Sequence, residues 1–458
     1  MSKGSSNKVA EWELHNARAM AIRTLEKIRN GAYSNLQLNN TVKQAELDER
    51  DVHLMTTMVY GVIQRRMTLE YWLKPFVKKP EKLDPWVREL LYVSLFQMKF
   101  LDKVPNHAIF DEAINIAKRR GHDGVRKFVT GVLHAIDREG VRSFDDITDK
   151  VERLSVEASL PTWLINQLTE ELGWEKASRI AMAINDAPAQ SARVNLAVTT
   201  VADATKILEE EGFTVTPSKV TPDALLLAGG HVASSQAFKD GLVTLQDESA
   251  MLMAPSLDIQ PDDQVLDAAA APGGKTTQIA TYLNAAEGGH VEALDIHDHK
   301  VGLINQNAER LHVADRINAR TLDARKVDEA FADGQFDRIL VDAPCSGFGL
   351  LRRKPEIRYD KSIEDSLSLQ KIQLGILEAA APKLKAGGRM VYGTCTILRS
   401  ENEDVVDMFL ADHPDFELVP TYTAYDLDAR DDRGMVHMFP DDFESDGFFI
   451  ATLQKKQA

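Results

Sequence analysis

From about Gly241 onward the chain alternates short apolar runs with helix-period segments, and few architectures accept that alternation. The runs are Val265–Ala270, Val291–Ile296, Asn318–Leu322, Arg338–Asp342 and Met390–Gly393. Between them, Thr276–Leu283, Lys300–Leu311 and Leu367–Leu384 carry apolar residues at helical spacing. Strands joined through helices pair in parallel, because each crossover returns the chain to the same end of the sheet. The expected product is a doubly wound sheet that binds its ligand beyond the C-terminal ends of the strands.

The rest of the chain reads differently. Asn16–Asn30 places Ala17, Met20, Ala21, Leu25 and Ile28 close to a helix period. Similar patterns cover Asp51–Arg65, Trp86–Phe100, Ala108–Arg119 and Val125–Asp137. Breaks fall at Lys79-Pro80, Val104-Pro105 and Arg120–Gly124, so residues 11–140 predict a bundle of about six or seven helices. More helix follows from Val141 to Asn185, including Pro161–Leu172. Arg193–Val198, Val201–Glu211, Phe213–Pro217 and Ala224–Ala228 then read as strand, helix, strand and strand, a small α+β subdomain.

Charge is split along the chain. The net charge is −16, yet residues 1–140 hold 23 Lys+Arg against 17 Asp+Glu. A basic N-terminal third on an acidic body is compatible with a phosphate-binding face or with an uneven surface. Hydrophobic residues make up 44% of the chain, enough for sizeable cores, and no apolar run approaches the ~18–20 residues of a membrane helix. Met1–Val9 is polar and lacks the apolar stretch of a signal peptide. Two cysteines exclude a disulfide scaffold and a Cys-rich zinc protein, and a reducing cytosol is the expected compartment.

The first candidate site is Leu266-Asp267-Ala268-Ala269-Ala270-Ala271-Pro272-Gly273-Gly274-Lys275-Thr276, a strand, a turn of small residues and a helix start. Small residues admit a ligand close to the backbone, and a helix N-terminus favours an anionic group. The glycine spacing is neither that of the dinucleotide fingerprint nor that of the phosphate-binding loop. Asp295 ends the second strand, Asp323 follows the third and Asp342 ends the fourth. Acidic residues there either cap the next helix or accept hydrogen bonds from ribose hydroxyls. Their recurrence at equivalent places points to a nucleoside-containing cofactor.

Both cysteines fall at the same edge. Cys345 lies in Asp342-Ala343-Pro344-Cys345-Ser346-Gly347, just past the fourth strand, and Cys395 lies in Tyr392-Gly393-Thr394-Cys395-Thr396, just past the fifth. A buried cysteine is often an inert small hydrophobe. Two on adjacent strands beside a cofactor edge instead suggest thiol chemistry.

The segments DAAAAPGGK, LDIHDHK, LDAR, DAPCSGFG and GTCT resemble those of the Sun family of RNA (cytosine-5) methyltransferases. The basic helical N-terminus resembles the NusB-like domain that some members carry. The resemblance implies a multidomain chain: an all-α NusB-like RNA-binding bundle over 1–145, a helical linker and small α+β subdomain over 146–240, and a Rossmann-like α/β methyltransferase domain over 241–458. It implies S-adenosylmethionine as cofactor and 16S ribosomal RNA as partner. Ala269, Ala270, Ala271, Pro272, Gly273, Gly274, Lys275, Asp295, Asp323 and Asp342 would line the cofactor site. Cys395 would be the nucleophile, Cys345 its helper, and Asp342 a hydrogen-bond partner for the base. Ala269 stands where a cysteine is common in the family, and Phe348 where a small or polar residue follows Ser-Gly.

The chemistry agrees with that resemblance. Cytosine C5 is a poor nucleophile until a thiolate adds to C6 and makes C5 enamine-like. A second thiol then assists release. Arg352-Arg353-Lys354 is expected to meet backbone phosphate, and Tyr359 and Phe348 to stack on an extruded base. His297 and His299 have no Cys/His partners at metal spacing, so no metal is expected. Two rival classes remain: an RNA-binding, antitermination-like factor, and an exocyclic-amine methyltransferase. The second usually has Asn/Asp-Pro-Pro-aromatic where this chain has Asp342-Ala343-Pro344-Cys345. No apolar stripe calls for a dimer, and a monomer is expected.

Overall fold

The computed structural model describes residues 9–32, 34–425 and 427–457. The polar Met1–Lys8, on which the reading of a missing signal peptide rests, lie outside the described residues. The chain forms two compact units. One takes in the chain up to Asp186 together with Leu351–Asp360, and the other runs from Ala187 to Leu350 and resumes at Lys361.

The first unit is helical. Ala17–Arg29, Ser34–Gln44, Glu49–Gln64, Arg66–Leu73, Pro85–Phe100, Asn106–Arg120 and Asp123–Glu139 surround a core that includes Met20, Leu25, Met58, Leu90, Leu95, Ile109 and Leu133. The helix starts follow from local chemistry. Asn16 Oδ1 accepts from Ala19 N at 2.9 Å, Asp48 Oδ1 accepts from Asp51 N at 2.8 Å, and Pro85 opens its helix where a missing N–H costs nothing. Lys150–Ala158, Thr162–Leu172 and Trp174–Ala183 complete the unit.

Residues 351–360 return to this unit from a distant part of the sequence. Arg358 is fully buried, and its Nη1 donates to Gln64 O at 3.0 Å, Asn185 Oδ1 at 3.0 Å and Ser159 O at 3.2 Å. Burial presses its pKa below the usual arginine value, and these acceptors offset the desolvation. The Glu356 carboxylate accepts from Ser34 Oγ at 2.8 Å.

The second unit holds two sheets. β1 (Gln190–Val194), β2 (Thr214–Pro217), β3 (Ala224–Ala228) and β4 (Val243–Leu245) pair antiparallel in the order β2-β3-β1-β4. The Val201–Glu210 helix packs Ala204 and Leu208 into their core. The larger sheet contains β5 (Gln264–Asp267), β6 (His290–Asp295), β7 (Ile317–Thr321), β8 (Phe336–Asp342), β9 (Leu384–Thr394), β10 (Phe416–Val419), β11 (Val436–Met438) and β12 (Phe448–Lys455). Its order is β10-β12-β9-β8-β5-β6-β7, with β11 on β12.

Strands β5 to β9 pair in parallel, as the alternation predicts, and the strand order reverses at β5 and β8. That reversal opens a crevice beyond the strand ends, where Asp267 and Asp342 stand. Strand β12 carries no expectation from sequence; it inserts antiparallel between β9 and β10. Its Phe448, Phe449 and Ile450 are buried, each contributing about 1.5–3 kcal/mol.

Candidate active site

The small-residue turn follows β5 and is fixed by the sheet itself. Ala268 N donates to Leu340 O at 2.9 Å, Ala270 N to Leu294 O at 2.8 Å, and Gly273 N to Ala270 O at 2.7 Å. Gly273 has φ +101°, and an added Cβ would meet Ile304 Cα at 3.2 Å, so glycine is required. Gly274 opens the Gly274–Tyr282 helix, and an added Cβ there would have nothing within 4 Å. Its carbonyl is held by Arg193 Nη1 at 2.7 Å, and Arg193 Nη2 reaches Thr277 Oγ1 at 3.0 Å. Burial lowers the Arg193 pKa to about 10.

Asp267 lies in the first candidate segment, but the sequence reading gives it no role of its own. It is fully buried, accepts from Thr276 Oγ1 at 2.7 Å through Oδ2, and has no partner for Oδ1 among the described residues. Burial pushes its carboxyl up to about 7; Thr276 opposes that rise and Asp342 adds to it. A buried acceptor left unpaired beside a helix N-terminus with open space fits a ligand carrying both a donor and an anionic group.

Lys275 Nζ donates to Asp342 Oδ2 at 2.6 Å and lies 5.2 Å from the Phe448 ring centre. Burial works against the ammonium, but Asp342 outweighs it, with Cys395 and Asp267 adding to the pull, and the Lys275 pKa rises. Asp295, at the end of β6, accepts from His297 N at 2.9 Å and lies 3.9 Å from Lys300 Nζ. Asp323 follows β7 and accepts from Arg325 N and Nε at 3.0 Å and from Nη2 at 2.7 Å, which holds its carboxyl low. Both acidic residues therefore also shape their own loops.

The two cysteines meet. Adjacent β8 and β9 bring Cys345 Sγ within 3.2 Å of Cys395 Sγ, and both thiols are free and half-buried. The hydrogen bond to Cys395 and burial push the Cys345 thiol well above its usual range, with the charges of Glu401 and Asp342 adding to the rise.

A buried polar network that sequence reasoning does not find surrounds the thiols. The fully buried Glu401 accepts from Ser346 N at 2.8 Å, Gln373 Nε2 at 3.0 Å and Ser366 Oγ at 2.8 Å. Gln373 Nε2 also donates to Pro344 O at 3.0 Å. Thr394 Oγ1 donates to Asn402 Oδ1 at 2.5 Å, and Asn402 Nδ2 donates to Thr396 O at 3.2 Å.

Three expectations are corrected. Phe348 is fully buried and Tyr359 OH donates to Ile63 O at 2.9 Å in the helical unit, so neither ring is a free stacking platform. Arg352 is 5% exposed, and its Nε donates to Ala183 O at 2.9 Å rather than facing phosphate. Of that basic run only Lys354 is exposed. Among the described residues no group of three or more His, Cys, Asp or Glu is placed to hold a metal, and no helix is long and apolar enough to cross a membrane.

A parallel sheet with an antiparallel strand inserted near one edge, a small-residue turn after β5 and acidic residues after the next strands defines a methyltransferase fold. Residues 15–138 match the NusB family, 160–233 the ferredoxin-like domain of RsmF/B-like methyltransferases, and 254–454 the 16S rRNA methyltransferase RsmB/F family. The chain belongs to the RsmB/F family of rRNA methyltransferases. It is 45% identical, over 96% of its length and 99% of the relative, to a probable ribosomal RNA small subunit methyltransferase B of Bacillus subtilis (strain 168). It is 30% identical, over 96% and 99%, to a protein of the same description from Synechocystis sp.. The crystal structure of PH0851 superposes with a TM-score of 0.81 at 27% identity, covering 98% of this chain and 100% of that one. The family resemblance read from the motifs is borne out.

Proposed function

We propose that this rRNA methyltransferase moves a methyl group from S-adenosylmethionine to C5 of a cytosine in 16S rRNA, through an adduct between Cys395 and C6. The observation that carries the proposal is the 3.2 Å approach of the two thiols at the crevice beside the Lys275–Asp342 pair. An exocyclic-amine methyltransferase needs no thiol, and an RNA-binding factor needs no such pair.

Residues of the chain divide the work. The Cys395 thiolate adds to C6, and the C5=C6 electron pair moves so that C5 attacks a methyl carbon. The cofactor supplies that methyl as a sulfonium electrophile. As the C5–CH3 bond forms, the sulfonium's bond to that methyl breaks with its electron pair staying on the sulfonium sulfur; the C5 proton then passes to solvent water, the C5–H electron pair re-forms C5=C6, and the C6–S bond breaks with its electron pair returning to Cys395. Cys345, whose sulfur lies 3.2 Å from that of Cys395, assists this release. Asp342 accepts a hydrogen bond from the base's exocyclic amine, and Lys275 Nζ, which donates to Oδ2 at 2.6 Å, fixes the orientation of that carboxylate.

For the cofactor, the turn from Ala269 through Ala270, Ala271, Pro272 and Gly273 to Gly274 and Lys275 offers close backbone approach, and Asp267 Oδ1 is an acceptor for its ammonium. Asp295 would take the ribose hydroxyls and Asp323 the adenine end. Residues 1–145 would bind RNA, 146–240 would link, and 241–458 would catalyse. Two reduced thiols this close suit a cytosolic setting. Radiolabelled methyl transfer to 16S rRNA, followed by nucleoside analysis, tests the reading: 5-methylcytidine supports it, and label on an exocyclic nitrogen overturns it.

A further inference from the structure

Two successive buried residues, Glu401 and Asn402, hold the flanks of both cysteines. Glu401 accepts the N–H of Ser346, the residue after Cys345, at 2.8 Å. Gln373, which donates to Glu401 at 3.0 Å, also holds the carbonyl of Pro344, the residue before Cys345, at 3.0 Å. Asn402 accepts from the Thr394 hydroxyl at 2.5 Å and donates to Thr396 O at 3.2 Å, so it holds both neighbours of Cys395. Glu401 is fully buried and Asn402 is 3% exposed. The Tyr392 hydroxyl anchors the dipeptide from the strand side, donating to Glu401 O at 2.5 Å.

We infer that Glu401 and Asn402 are positioning residues with separate duties: Glu401 sets the Cys345 loop for the release step, and Asn402 sets the Cys395 loop for adduct formation. The inference rests on the cysteine roles proposed above. The physical reason is that a cysteine flanked by two anchored residues loses the backbone freedom that would let its sulfur wander. A misplacement of about 1 Å at a reacting group can cost about a hundredfold in rate. Neither residue is placed among the reacting atoms; each acts through the loop it ties.

The test uses the full chain, an unmodified 16S rRNA transcript and radiolabelled S-adenosylmethionine, with covalent protein–RNA adduct read on denaturing gels over time. Glu401→Ala is expected to form adduct and transfer methyl, then release product about tenfold or more slowly, so adduct accumulates. Glu401→Gln keeps an acceptor oxygen for Ser346 N–H and restores release. Asn402→Ala is expected to slow adduct formation about tenfold with no accumulation. Should Glu401→Ala not fold, Glu401→Asp, one methylene shorter, takes its place with the same expected stall. Cofactor affinity measured alongside stays unchanged in every variant.

If both substitutions slow the same step equally, or neither changes a rate, the division of duties is overturned. Cys345→Ala serves as the control for the underlying reading. If it traps no adduct, the cysteine roles themselves fall. If it traps adduct and Glu401→Ala does not, only the present inference falls.

Discussion

The thiol side and the acidic side of the same sheet edge are built differently. Around the cysteines several buried bonds run between distant parts of the chain: Glu401 to Ser346, Gln373 to Pro344, Ser346 Oγ to Thr396 Oγ1 at 2.9 Å. Around the acidic residues they stay local, Asp295 with His297 and Asp323 with Arg325, each two residues on. The thiol side is therefore set before any ligand arrives, because moving either sulfur means breaking buried hydrogen bonds. The acidic side keeps its shape through exposed or half-buried bonds that water can replace, so a ligand can share those carboxylates at little cost.

The largest expected effect tests whether the thiol side holds two distinct roles. Cys395→Ala ends methyl transfer and forms no adduct, whereas Cys345→Ala methylates once and stalls as a slow band on a denaturing gel. The reverse pattern would exchange the roles, and two active variants without trapping would leave both thiols inert.

Packing gives the next contrast. A Cβ added at Gly349 would lie 2.0 Å from Gly447 O and 2.8 Å from Cys395 O, while one at Gly274 meets nothing within 4 Å. Gly349→Ala should cost about 1–3 kcal/mol of stability and disturb the thiols. Gly274→Ala should melt at or slightly above the parent, since alanine is favoured in helices by roughly 0.5–1 kcal/mol, and should change only cofactor affinity. Thermal melts decide; a Gly274→Ala variant that melts far below the parent would erase the contrast.

On the acidic side, Asp295→Ala removes a charge-assisted hydrogen bond worth about 1.5–3 kcal/mol, roughly 10- to 150-fold in S-adenosylmethionine affinity. RNA affinity should hold. Asp323→Ala should cost less, because Arg325 already occupies both of its oxygens. Calorimetry giving unchanged cofactor affinity for Asp295→Ala would break the ribose assignment.

The smallest effect concerns Asp267, which stands between the two sides. Its folded pKa of about 7 lies above the unfolded value of about 4. Between those values the folded chain holds a proton that the unfolded chain has released, so stability is lost as pH rises through the window. Asp267→Asn has no proton to lose, and its melting temperature should fall by a few degrees less across the same range. A constant difference between the two melting curves would show the carboxylate already ionised in the fold.

Much of the site was legible because its elements announce themselves locally. Parallel strands buried on both faces read as continuous apolar runs, and Val265, Leu266, Leu340 and Val341 are all fully buried. Every loop that follows such a strand emerges at one edge, so Asp295, Asp342, Cys345 and Cys395 were assignable to that edge from order alone. What stayed hidden has partners far along the chain. Tyr359 and Arg352 look like loop residues in sequence, yet they are held by Ile63 and Ala183 in the helical unit. Phe348 reads as a base platform only because its burial is not written in its neighbours.

The sequence by itself determined the alternation of strand and helix, the helical N-terminal region, the small-residue turn and the presence of two thiols beside acidic strand ends. These follow from periodicity, chain connectivity and residue chemistry, all of which act over a few residues. Tertiary structure alone decided that β12 slips between β9 and β10, that Arg193 reaches Gly274, and that Glu401 and Asn402 grip the loops of both cysteines. The β12, Arg193 and Glu401 contacts join segments tens of residues apart, and Asn402 closes its own loop over six to eight residues. They form because buried donors and acceptors must find partners wherever the folded chain brings them.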